Sequence, residues 1–154
     1  MKFLVAFALF AGLAGAQSTP LTGVWRVIEE TTTGPGGKTI TSPPPGILIF
    51  TEKYFSLVRI DGETPRPDLT TSSTDADHLA ALDRLLAQSG TYEISGTTLI
   101  RHRIVAGVPN NMHPGDRNTA SFKLEGKTLV ITQLNNAKGQ PLANPTTTKY
   151  TRVE

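Results

Sequence analysis

Cysteine is absent from the whole sequence, which rules out disulfide staples, thiol nucleophiles and every thiolate-ligated metal centre. A fold without such staples has to rest on a hydrophobic core of its own. With no cysteine after Ala16, attachment of a lipid to an N-terminal thiol is excluded as well. An excess of charge of one sign is also lacking: fifteen Lys and Arg face thirteen Asp and Glu. The only local concentration is Arg101-His102-Arg103, too small for a polyanion surface, so a nucleic-acid partner is not expected. The three histidines, His78, His102 and His113, show no ligand spacing, and no metal site is expected. There is no Gly-x-Ser-x-Gly elbow, no glycine-rich phosphate loop and no His-Glu-x-x-His, and no cofactor signature takes their place.

Long apolar runs are scarce too, and the one present is N-terminal. Lys2 gives a short positive start, residues 3–13 are almost wholly apolar, and Ala14-Gly15-Ala16 supplies small residues at the cleavage positions. The run is too short to span a bilayer, and Gln17-Ser18-Thr19-Pro20 ends it abruptly. Residues 1–16 are therefore expected to be a signal peptide. Residues 17–154 are expected to be one exported domain, periplasmic or secreted, with no membrane span. Without Lys2, fourteen basic residues face thirteen acidic ones, a net charge of +1.

What is present is a series of short strand-like runs broken by turn residues. They cover residues 24–33, 47–51, 54–60, 90–95, 97–106, 119–125, 128–134 and 146–153. Ser95-Gly96 and Gly126-Lys127 have the composition of tight hairpin turns. About eight short strands at such spacing predict an all-β barrel or sandwich. Residues 75–88 break the pattern with Leu79, Leu82, Leu85 and Leu86 at helical spacing. Thr74 and Asp77 have capping-box spacing, and Ser89-Gly90 would end the helix. Such a helix either plugs one end of the barrel or lies over its mouth. A leucine stripe favours packing as plug or outer wall.

Gly23-Val24-Trp25 opens the first strand directly after the expected cleavage site. Further on come Gly90-Thr91-Tyr92, Arg101-His102-Arg103, Val108-Pro109-Asn110 and Arg117-Asn118-Thr119. In that order, over residues 20–133, the chain resembles the bacterial and fungal lipocalin-like domain family, whose barrels are of calycin type. The resemblance implies an antiparallel up-and-down barrel of about eight strands with one inserted helix. It also implies that Trp25 covers the closed end, that Gly23 permits tight backbone packing, and that Arg152 lies over the tryptophan. Such a stacked pair contributes about 0.5–2 kcal/mol. The chain departs from the family pattern at Arg103, where a second histidine or an apolar residue is common, so histidine-pair chemistry is not carried over.

Strand alternation puts Ile100, His102 and Ile104 on one face and Arg101, Arg103 and Val105 on the other. The simplest assignment turns His102 inward and leaves both arginines in water. Tyr92 and Phe122 would join it inside, with Arg117 near a rim, giving an apolar pocket with a few orienting polar groups. Tyr92, His102, Arg117 and Phe122 are thus the candidate ligand-binding residues. The expected partner is a small, largely hydrophobic molecule. Two alternatives remain. His102 could serve as acid or base in a small isomerase, cyclase or lyase; or the barrel could be filled and purely structural, with His102 a hydrogen-bonded core residue. Ligand identity and oligomeric state are not encoded in any motif found.

Overall fold

The computed structural model describes residues 19–64 and 66–154; the expected signal peptide, residues 1–16, lies outside them. Nine strands are described: β1 (Gly23–Thr32), β2 (Lys38–Ile40), β3 (Gly46–Phe50), β4 (Tyr54–Ile60), β5 (Leu85–Ser95), β6 (Thr98–Ala106), β7 (Asn118–Glu125), β8 (Thr128–Gln133) and β9 (Thr146–Arg152). Sequential antiparallel pairing runs from β3 to β9, and β1 pairs with both β3 and β9. Eight strands thereby close into a barrel. The short β2 only extends the far end of β1, through Glu30↔Ile40 to Thr32↔Lys38.

Antiparallel register puts the short turns at residues 51–53, 96–97 and 126–127 at one end of the barrel. The long connections, residues 61–84, 107–117 and 134–145, lie at the other end. The end with short turns is closed. Leu21, Trp25, Leu48, Phe50, Phe55, Leu99 and Leu129 are fully buried within the main core cluster. Burying side chains of this size contributes about 1.5–3 kcal/mol each, which is how a barrel without disulfides holds together.

The cap over this end has the expected form. The Arg152 guanidinium carbon sits 4.2 Å from the centre of the Trp25 ring. Its Nη1 donates to the Thr22 carbonyl at 2.6 Å, and the Trp25 indole N–H donates to the Leu21 carbonyl at 2.8 Å. Gly23 has φ +136°, and a Cβ there would lie 2.6 Å from Arg152 Nη1 and collide with the Glu154 carbonyl. No other residue fits that position without moving the cap.

The helix differs from expectation. Among the described residues one α-helix, α1, spans Asp75–Asp83 and is opened by the expected capping box: Asp77 N–H donates to Thr74 Oγ1 at 3.3 Å, and Thr74 N–H to Asp77 Oδ2 at 2.8 Å. It stops before Leu85, however, and residues 85–88 belong to β5. There they pair with β4 from Ile60↔Leu85 to Leu57↔Gln88. Ser89-Gly90, expected to end the helix, lies inside the same strand. A Cβ at Gly90 would run into the His102 carbonyl of β6. Hydrogen bonding to β4 overrides the helix propensity of Leu-Leu-Ala-Gln. Nor is the leucine stripe a core face: Leu79 and Leu82 are exposed, and Ala81 is the one residue of α1 that is buried.

Candidate functional site: an arginine-lined cavity in the open half of the barrel

Inner-face residues change in character from the closed end to the open end. Along β6, Leu99, Arg101 and Arg103 point inward, and Leu99 belongs to the core. Along β5, Tyr92 is in the core while Gln88 and Leu86 lie farther toward the mouth. Beyond Leu57 on β4 comes Arg59; Ala120 on β7 gives way to Asn118, and Ile131 on β8 to Gln133. These residues enclose an open cavity of about 260 Å³, completed by Thr146, Thr148 and Tyr150 of β9 and by Asn111 of a 3-10 turn, Pro109–Asn111. Leu57, Leu86 and Ile131 form its apolar wall. The four buried polar residues described, Gln88, Arg101, Asn118 and Thr148, all line this one cavity.

The inward orientation expected for His102 is therefore corrected. Ser95↔Thr98 closes a two-residue hairpin, so Tyr92 faces Arg101 and Thr91 faces His102. With Tyr92 inside, Arg101 has to be inside as well and His102 outside. The His102 side chain is on the outer wall, partly exposed, with Nε2 3.4 Å from Glu93 Oε1. Ile104 is exposed on the same wall. Tyr92 is inward but belongs to the closed end. Its hydroxyl donates to the Thr51 carbonyl at 2.7 Å and lies 2.5 Å from Thr19 Oγ1, and its ring meets Phe50 edge-on. Phe122 packs half-buried against the core cluster. Arg117 is exposed on the loop before β7, where its N–H donates to the Ala137 carbonyl. None of these four side chains lines the cavity.

The three inward arginines differ in how they are compensated. Arg59 pairs with Glu30 and, at 2.8 Å, with Asp61. Burial works against its charge, but the two carboxylates outweigh that and hold its pKa above the ordinary value. Neighbouring acids therefore divide as alternation demands, since Glu29 reaches Lys149 at 2.9 Å instead. Arg103 donates through Nε to Gln88 Oε1 at 2.5 Å. Burial lowers its pKa, opposed by the charge of Asp116.

Arg101 is the most deeply buried of the three and has no carboxylate partner among the described residues. Its Nη2 donates to Asn118 Oδ1 and Gln133 Oε1, both at 2.6 Å, and its guanidinium lies 5.7 Å from the centre of the Phe55 ring. Its Nε is buried without an acceptor. Burial pushes its pKa down to about 10, with Arg103 and Arg59 adding to the effect. It stays charged at neutral pH. Tyr150 beside it is pushed up by burial, against the pull of Arg59 and Arg101, and stays a neutral phenol. Sequence reasoning missed this group because it assigned both β6 arginines to water. The hairpin spacing, counted outward from Gly96-Thr97, carries the signal that finds them.

The sequence profile of the lipocalin-like domain family matches residues 22–150. A solved structure, a lipocalin-like protein from Bacteroides uniformis, is 13% identical with a TM-score of 0.46; the alignment covers 86% of this chain and 97% of that one. No curated protein matches the chain.

Proposed function

The chain belongs to the lipocalin-like domain family, and from that premise we propose that its barrel binds or carries one small molecule in the open half, exported from the cytoplasm by residues 1–16. The observation that carries this reading is the gathering of all four described buried polar residues around one open cavity. A barrel filled for structure alone gains nothing from burying these groups, because buried polar atoms cost stability unless paired. Pockets for small molecules combine an apolar wall with a few fixed polar groups, as Leu57, Leu86 and Ile131 stand opposite the arginines here. A wholly hydrophobic ligand would leave those arginines facing hydrocarbon. The ligand that fits is amphipathic, with its polar group toward β6.

An acid–base role for His102 finds less support. Its imidazole stands on the outer wall beside Glu93 and outside the cavity lining.

Titration with 6-acetyl-2-dimethylaminonaphthalene, a neutral fluorescent probe with one fused pair of rings and a polar carbonyl, tests the binding reading. Fluorescence enhancement saturating at one probe per chain, and lost in Leu86→Trp, is the expected result. No enhancement, or enhancement untouched by Leu86→Trp, would overturn it.

A further inference from the structure

We infer that the polar group of the ligand is a carboxylate, held by the paired guanidinium groups of Arg101 and Arg103. This rests on the cavity reading above and adds the chemical class of the ligand. Among the described residues the cavity lining contains three arginines and no acidic residue. Arg59 is neutralised from behind by Glu30 and Asp61, and Asp116 is close enough to Arg103 to favour its charge. That leaves Arg101, whose described protein partners are neutral amides and an aromatic ring. A buried charge without a counter-charge is costly, and one anion entering the cavity supplies what is missing.

The donors left over suit a carboxylate. Arg101 spends its protein hydrogen bonds through Nη2, and Arg103 through Nε, which leaves Nη1 of Arg101 and both Nη groups of Arg103 without a described acceptor. The two residues are two apart on one strand and so share a face. A carboxylate has two oxygens to accept the free donors of these two guanidinium groups. One uncompensated positive charge calls for a monoanion rather than a dianionic phosphate. The apolar wall of Leu57, Leu86 and Ile131 takes the body of the molecule. At about 260 Å³, just under the roughly 300 Å³ at which drug-sized pockets begin, that body is about the size of a fused pair of rings.

Isothermal titration of the full domain with 2-naphthoate, its neutral isostere 2-naphthamide and dianionic 2-naphthyl phosphate separates the outcomes. Naphthoate is expected to bind about tenfold to a hundredfold more tightly than naphthamide, the range of a charge-assisted hydrogen-bond set. Arg101→Gln and Arg103→Gln should each remove most of that advantage, bringing the ratio of naphthoate to naphthamide affinity to within about threefold. Arg117→Gln, on the exposed loop, should alter neither. Should Arg101→Gln fail to fold by circular dichroism, the half-buried Arg103→Gln carries the test alone. Equal affinity for naphthoate and naphthamide, or naphthoate binding indifferent to the variants, would overturn the carboxylate assignment while naphthamide binding upholds the cavity. Tighter binding of the phosphate would overturn the monoanion. Binding of none of the three would overturn the cavity reading as well.

Discussion

Arg101 is kept charged in a place where charge is expensive. Its pKa is lowered to about 10 by burial, with Arg103 and Arg59 adding to the effect and Tyr150 opposing it, a net cost to the charged form on the order of a few kcal/mol. For a base whose folded pKa is depressed, the unfolded chain binds more protons between the two values. The penalty is therefore felt in full below about pH 10 and is relieved as pH rises from there toward the ordinary arginine range. Tyr150 acts in the opposite sense, because its raised pKa makes the folded state lose stability once the unfolded phenol ionises. Arg101→Met exchanges the penalty for apolar packing and should keep or raise the melting temperature at pH 7, as read by differential scanning calorimetry. A drop of more than about 4 °C, equivalent to about 1 kcal/mol in a domain of this size, would mean that the guanidinium is structural. At the closed end the balance is reversed. Trp25→Ala should cost about 3–5 kcal/mol, and Arg152→Ala about 1–2 kcal/mol from the lost ring and carbonyl contacts.

Elements were legible from the sequence where local pattern and tertiary pairing agree. The run at residues 54–60 reads as a strand and forms one at those limits, and the capping box at Thr74 and Asp77 forms as its spacing implies. β2 escaped notice because three residues show no periodicity. The helix ran on through residues 85–88 because their composition favours helix, whereas register against β4 is a property of two strands at once. The inner face of β6 was misassigned for a related reason. Leu99 and Ile100 are both apolar, so alternation has two phases, and only pairing with Tyr92 selects between them. At this scale α1 is the weakly held piece: it contributes one buried residue, and its leucines face water. Thr74→Ala should cost about 1 kcal/mol of helix stability and raise amide hydrogen exchange across residues 75–83. Exchange in the core strands should be unchanged, since α1 can open without the barrel. A matching rise in β1 or β9 would show that the helix is integral to the barrel.

As a whole, the molecule is a closed apolar plug surmounted by a polar cup. The three short turns frame the plug and the long connections frame the cup, so variation in loop sequence falls where a ligand enters. The barrel itself was readable from turn spacing, and Gly23 with Trp25 marked its closed end. The chemistry of its interior was harder to read, because arginine is expected in water and only the hairpin pairing with Tyr92 turns Arg101 in. The proposal of export belongs to this scale too. Protein recovered from outside the cytoplasm should begin at Gln17 by intact mass, and a full-length mass there would contradict removal of residues 1–16.

The central claim is that a small molecule sits inside the cup. Intermolecular nuclear Overhauser effects from 2-naphthoate to the methyl groups of the protein test it most directly. The account predicts contacts from the ring protons to Leu57, Leu86 and Ile131, which line the cavity. Contacts confined to Ile47, Val58 and Ile104, exposed on the outer wall, would contradict it.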